Sequence, residues 1–291
     1  MKEQFLVSKF QDKKAETIAK ANEIIESYQA QGYRLTLRQL YYQFVSRDLI
    51  PNTERSYKNL GNAISDGRLA GLIDWDAIED RVRVPRVCSQ WDNVEALVQS
   101  ALYAYRLPRW HNQENYVELW VEKDALAGVL QPIASEYHVT LMVNRGYSSQ
   151  SAMYEAARRF MENGDGKSCH LIYLGDHDPS GEDMVRDVRD RLKMFGAEVT
   201  VEKLALTMAQ VQEHNPPPNP AKMTDSRATA YVERHGSSSW EVDALPPDVL
   251  ADLIRRAIIA LVDLDLMDEI KAQENKDKAA LTKAAKKIVK E

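Results

Sequence analysis

The residues best suited to chemistry are carboxylates placed after two short apolar runs. In LIYLGDHDPSG (171–181), the run 171–174 ends at Gly175, and Asp176 and Asp178 follow at once. Such a run reads as a buried strand of a parallel sheet, and the carboxyl ends of those strands are where open α/β sheets hold ligands. Pro179 and Gly181 force a turn, and 182–195 has helical periodicity. Two carboxylates two residues apart on a fixed turn can hold one hard cation such as Mg²⁺ through oxygen. The plainer reading is an Asp-rich turn that caps a helix. A second acidic site changes the balance. In VELWVEKDAL (117–126), 119–121 reads as a strand with Glu122 at its end and a helix over 124–134. Alone, Glu122 would be a carboxylate facing a helix N-terminus. A βα unit between the two sites would bring Glu122, Asp176 and Asp178 to one sheet edge. His177 is expected to point the other way rather than act as a ligand.

The other reactive candidate is a phenol. In LRQLYYQ (37–43), Tyr41 and Tyr42 are adjacent, so on a helix they point about 100° apart. One is expected to pack inside and the other to be exposed. Arg38 lies four residues before Tyr42, on much the same face. By itself this is ordinary helix chemistry, two core aromatics and a solvated cation.

The elements that must position these groups follow from periodicity. Residues 15–30 should form a helix with Ile18, Ala21, Ile24, Ile25 and Tyr28 buried. Thr36 caps a second helix over 37–45, and Thr53 caps a third that runs to about Ser65. Gly67, Gly71 and the run 72–78 suggest a turn and short strands. Three helices and then a small hairpin is the winged-helix order, whose third helix would enter a DNA major groove. Arg55, Lys58 and Arg68 would contact phosphates there. Further on, 215–220 (NPPPNP) is a stiff connection, read with the polar segment to Ser239 as a surface crossing rather than a DNA-touching loop. A core helix is expected over 250–267, and the Lys- and Ala-rich tail from Lys271 as a solvated helix.

Composition narrows the class. The chain of 291 residues is 44% hydrophobic and 28% charged, ordinary for a soluble globular protein. No apolar run approaches a membrane span, and the start lacks a secretory signal's apolar core. Cys88 and Cys169 are far apart without a CxxC pair, which points away from zinc and disulfides and toward a reducing, cytoplasmic setting. The net charge of −6 disfavours indiscriminate nucleic-acid binding but permits a local basic surface.

Glu122 at one strand end and Asp176 and Asp178 at the next resemble a Toprim domain, the metal-binding module of topoisomerases, bacterial primases and some nucleases. Together with the Arg38–Tyr42 motif, they resemble the A subunit of topoisomerase VI (type IIB) and its relatives, the meiotic double-strand-break proteins. NRGYSS (144–149) is similar to that family's Gly-Tyr turn, and WEVDAL (240–245) to the acidic segment before its C-terminal helices. The resemblance spans roughly 30–260. It implies an N-terminal winged-helix (CAP-like) domain followed by a Toprim (Rossmann-like) α/β domain with C-terminal helices. The divisions would be an N-terminal helix over 1–30, a winged helix over 31–95, a Toprim-like domain over 112–270 and a basic helical tail over 271–291. Tyr42 matches the family's nucleophile and Arg38 the arginine one turn before it. Glu122, Asp176 and Asp178 match its acidic triad for Mg²⁺ or Mn²⁺, with Glu122 or Asp178 an alternative proton shuttle. The implied reaction is attack of the tyrosine on duplex DNA to leave a 5′-phosphotyrosyl link and a free 3′-hydroxyl. The implied assembly is a homodimer in which one protomer's tyrosine meets its partner's metal site. The sequence carries no Gly-rich ATP-binding segment. ATP-driven strand passage would need a separate GHKL ATPase subunit. Two other readings remain open: a hydrolytic Toprim nuclease with a structural Tyr42, and a non-catalytic DNA-binding protein.

Overall fold

The N-terminal third is built on helices whose caps are written in the sequence. A computed structural model describes residues 1–78, 88–144, 146–223, 225 and 227–288. Helix α1 (Asp12–Gln29) buries Ile18, Ala21, Ile24, Ile25 and Tyr28, the expected stripe. Helix α2 (Leu37–Ser46) starts on a capping box, with the Thr36 hydroxyl accepting from the Gln39 amide and the Gln39 side chain accepting from the Thr36 amide. Thr53 caps α3 (Glu54–Leu69), which runs past Ser65 and holds Gly67 within its buried face. These three helices share one apolar core.

The expected hairpin is not formed over 67–78. Gly71 turns the chain at φ +73°, and Trp75–Ala77 is a single 3₁₀ turn. Arg68 donates to the carbonyls of Trp75 (2.9 Å) and Ile78, which folds this stretch back onto α3. Residues 79–87, where the rest of a wing would fall, lie outside the described residues.

After α4 (Val94–Ala104), strands and helices alternate: β1 (Asn115–Val121), α5 (Ala127–Tyr137), β2 (Thr140–Val143), α6 (Gln150–Asn163), β3 (Ser168–Leu174), α7 (Pro179–Met194) and β4 (Thr200–Ala205). A 3₁₀ turn over Asp124–Leu126 replaces the first turn of the helix expected after Glu122. Among the described residues these strands form one parallel sheet in the order β2-β1-β3-β4. The chain leaves β1 toward one edge and returns to build β3 on its other side, so strand order reverses between β1 and β3. A crevice opens at the carboxyl ends of strands that part in this way.

Next come α8 (Met208–His214), the two-residue strands β5 (Asn219–Pro220) and β6 (Ser238–Ser239) flanking α9 (Ala228–His235), then α10 (Pro247–Ile259) and α11 (Leu264–Ile288). The helix expected over 250–267 is therefore two. Asp263 ends one and caps the next, its side chain accepting from the amides of Asp265 and Leu266. Gln113 clamps the break by exchanging two hydrogen bonds with the Asp263 backbone. The boundary expected at Lys271 falls inside α11, and the tail is not simply solvated. Glu274 is buried there, bonded to Arg109 at 2.9 Å, to Lys278 at 2.8 Å and to the Leu107 amide at 3.1 Å. No helix among the described residues is long and apolar enough to cross a membrane.

The sheet holds one charge in its centre. Glu118 on β1 is fully buried and accepts from Arg159 of α6 at 3.0 and 2.9 Å, from Trp120 Nε1 at 2.8 Å and from the Tyr116 hydroxyl at 3.1 Å. Arg159→Ala strips that carboxylate of its cation. The expected loss of unfolding free energy is about 3–5 kcal/mol by urea denaturation; a loss under about 1 kcal/mol, the size of a surface pair, would show the pair to be dispensable.

Candidate functional site

Register decides where the first carboxylates stand. Val121 of β1 pairs with Leu174 of β3, so both strands end level. The Glu122 amide continues the ladder to the Leu174 carbonyl at 2.9 Å, and the Gly175 amide reaches the Ala205 carbonyl at 2.8 Å. Glu122 and Asp176 thus flank the reversal point, with the Asp176 amide donating to Glu122 Oε2 at 3.2 Å. The turn beyond is tight. A Cβ on Gly181 would lie 2.2 Å from the Asp176 carbonyl oxygen, so only glycine fits.

Asp178 is the N-cap of α7: its Oδ1 accepts from the Gly181 amide at 2.6 Å and the Ser180 hydroxyl at 2.8 Å. The plainer reading of this aspartate is therefore realised, and α7 begins at Pro179. His177 turns the other way, as expected, with Nδ1 2.7 Å from the Tyr231 hydroxyl. Its backbone pairs with Trp240 in both directions, at 2.8 and 3.0 Å. That bridge lays residues 240–243 against the sheet edge, where the Val242 amide donates to Asp176 Oδ1 at 2.9 Å.

Two more carboxylates arrive on this strap, Glu241 and Asp243, and with them a web of ion pairs. Lys123 Nζ lies 2.8 Å from Asp176, 2.9 Å from Glu241 and 3.2 Å from Asp243. Arg38 pairs with Glu241 and, through Nε at 3.0 Å, with Asp243, whose side chain is 0% exposed. The guanidinium also sits 5.7 Å from the centre of the Tyr42 ring. Tyr41 and Tyr42 are 5% and 3% exposed, so the expectation that one of them is exposed fails. They are buried for different reasons. Tyr41 packs edge-on against Tyr57 and donates to Asn52 Oδ1 at 2.8 Å. Tyr42 is covered because α2 is pressed onto the 241–243 strap, where Arg38 pairs with Glu241 and Asp243.

The electrostatics follow from burial and charge count. Burial, then Glu241 and Asp243, push the Tyr42 phenol well above its ordinary range, and Arg38 offsets part of this. Asp176 is pushed up to about 7 by burial and by the charges of Glu122 and Asp243, against the pull of Lys123. Burial likewise raises Glu122, with Asp178 adding to it. Burial would raise Glu241 too, but Lys123 and Arg38 draw it down to about 2. Two carboxylates thus remain short of positive charge although Lys123 is present, and the donors at this edge are all oxygen. That chemistry suits a hard divalent cation on Glu122, Asp176 and Asp178. Their present bonds are internal, however, and among the described residues no three His, Cys, Asp or Glu side chains stand ready to hold a metal.

A cavity of about 430 Å³ lies between α2–α3 and the sheet edge. Tyr42, Arg38 and Asn52 line it from one side, and Asp176, Asp178 and Glu241 from the other. The connection read as a surface crossing also contributes, with Asn219, Pro220 and Lys222 on the cavity wall and Asn52 bonded to Asn219 at 2.8 Å. Its proline stiffness was legible; that β5–β6 pairing would fold it over the site was not. Of the expected phosphate contacts, Arg55 is exposed, Lys58 pairs with Glu54 at 2.7 Å on the surface, and Arg68 is committed to backbone carbonyls and stacked on Trp75. Lys123, Glu241 and Asp243 were not assigned roles from sequence. The alternation of Glu241 and Asp243 about an apolar Val242 was the available signal.

No known protein family matches this chain, and no curated protein does.

Glu241→Gln tests the ion web. A carboxylate drawn from 4.5 to about 2 stabilises the fold above about pH 4.5 and ceases to do so as pH falls toward 2. The variant is expected to be less stable than the wild type by on the order of 2 kcal/mol at neutral pH. In urea titrations that gap should close below about pH 4.5; a gap independent of pH would mean that Glu241 acts by packing alone.

Proposed function

We propose that this chain is a Mg²⁺- or Mn²⁺-dependent DNA-cleaving tyrosine transesterase, akin to the A subunit of topoisomerase VI, with a winged-helix-like helical unit set against a Toprim-like sheet. The observation that carries this reading is that Tyr42 and Arg38 line one cavity with Asp176 and Asp178, although the two pairs lie more than a hundred residues apart in sequence. The cavity's size lies within the usual range of ligand pockets.

Each residue has a chemical part. A phenol of ordinary pKa about 10 is a weak nucleophile at neutral pH and needs activation. Arg38 supplies a fixed positive charge beside the Tyr42 ring and can also face the charge that develops on phosphate oxygens. Glu241 lies near enough to raise the Tyr42 phenol but, drawn down to about 2, it is too weak a base to take the proton. Glu122 is raised, which suits a proton shuttle or a ligand. Glu122, Asp176 and Asp178 would hold the metal, which when bound polarises the phosphate and steadies the leaving 3′-oxygen. Lys123 competes with it for Asp176. Lys222 on the cavity wall and Arg55 on the exposed side of α3 are available for the DNA backbone. Strand passage driven by ATP would require a second polypeptide with a GHKL ATPase.

A hydrolytic metal nuclease is the second reading, favoured by the burial of Tyr42 and its raised pKa. A plasmid assay with Mg²⁺ or Mn²⁺, quenched by detergent and compared with and without protease, separates the two. Wild type is expected to leave protein on DNA ends. Tyr42→Phe and Asp176→Ala should abolish those ends, and Arg38→Ala should lower them by about 10²–10³-fold. Protein-free ends that persist in Tyr42→Phe would establish the nuclease instead.

A further inference from the structure

Helix α4 is apolar where water reaches it. Seven of its eleven residues are Val, Ala or Leu, yet none of the eleven is buried. Just past its C-terminus the chain is fastened to α11, where the Tyr105 hydroxyl donates to Asp277 at 2.8 Å and the Leu107 amide to Glu274 at 3.1 Å. Val94, Leu97, Ala101 and Ala104 are exposed, Val94 at 55% and Leu97 at 43%. These four are spaced three, four and three residues apart, which sets them on one side of the helix as a seam of the kind that packs against a second helix. The described residues leave that seam open to solvent.

The order of residues along the seam says what fits it. Two larger side chains come first and two small ones last, placed symmetrically: Val94 and Ala104 are each five residues from position 99, and Leu97 and Ala101 are each two. Two copies of α4 laid antiparallel about that level set Val94 against Ala104 and Leu97 against Ala101, in both halves of the contact. Large residues that face small ones interdigitate without a void or a clash.

Charge follows the same symmetry. Asp92 and Glu95 are exposed at the N-terminal end of α4, and Arg106 is exposed beyond the other end. The Arg106 guanidinium donates to the carbonyls of Tyr103 (2.6 Å) and Tyr105 (2.7 Å), which fix it there, and stands 3.9 Å from Glu274, too far for a hydrogen bond. Antiparallel pairing sets acid against base at both ends and opposes the two helix dipoles; parallel pairing sets acid against acid. A surface that is its own complement about one axis is what a two-fold contact requires.

We propose that α4 is a docking face for a second copy of this chain, the two helices packing antiparallel with the two-fold axis level with position 99. The contact does not depend on any cleavage chemistry.

Cysteine pairs read the register directly. Val94→Cys and Ala104→Cys are made separately in full-length chain carrying Cys88→Ser and Cys169→Ser, and each is oxidised alone and as an equal mixture. In the antiparallel contact, like positions lie ten residues apart along the helix axes, about 15 Å, which is beyond the reach of a disulfide. Unlike positions face each other. The mixture is therefore expected to yield covalent dimers linked 94 to 104, and neither chain alone is. Dimers of Val94→Cys with itself would show a parallel pairing, and a mixture that yields none would show that α4 serves a different partner; either result overturns the proposal. Leu97→Arg, added to both chains, puts a charge into the seam. Because Leu97 is exposed, the helical circular dichroism should be unchanged while the yield falls by about tenfold or more. A yield that Leu97→Arg leaves as it was also overturns the proposal.

Discussion

One ammonium group holds the site together. Lys123 Nζ touches carboxylates from two separate segments, Asp176 after β3 and Glu241 and Asp243 on the strap, and these reach Arg38 on α2. In a partly dry crevice, attraction between opposite charges is several times stronger than in water, and so is repulsion among the carboxylates. The site therefore has little freedom in how it can be arranged. Without Lys123, three carboxylates would face one another. Without the carboxylates, burial would draw the Lys123 pKa down; with them it is held above the ordinary value in spite of desolvation.

The sheet's part is to bring the groups into range. Level ends of β1 and β3 set Glu122 beside Asp176, and the reversal of strand order keeps crossover helices from covering that point. The His177–Trp240 backbone bridge then fixes the strap, so a residue of no direct chemical use determines where Glu241 and Asp243 stand. Asp178 has two claims on it, a helix cap now and an oxygen donor in the proposed chemistry. Capping uses Oδ1, which leaves the other oxygen of the carboxylate for a further partner.

Local signals were legible in the sequence, and what depended on distant contacts was not. Thr36, Thr53 and the stripe on α1 were readable because caps and periodicity are local. The strands that end in Glu122 and Asp176 were readable for the same reason, as apolar runs stopped by polar residues. The burial of Tyr42 was not, since it comes from a strap 200 residues away rather than from the helix's own pattern. Arg68 shows a related limit. A cation on a third helix looks suited to phosphate, yet its fate was set by two carbonyls in the turn that follows. The split of the 250–267 helix depended on Gln113, a residue far upstream that no local pattern could connect to Asp263.

The strap also sets how the molecule comes apart. Val242 and Leu245 are buried with the sheet and Ala244 with the three N-terminal helices, so one short 3₁₀ turn is anchored in two interiors at once. Neither interior can loosen without pulling on the other. Units joined only by a pliable linker would melt in separate steps and exchange their amides at separate rates, each with its own free energy. A shared turn couples the two instead, so that the opening of one interior disturbs an anchor of the other.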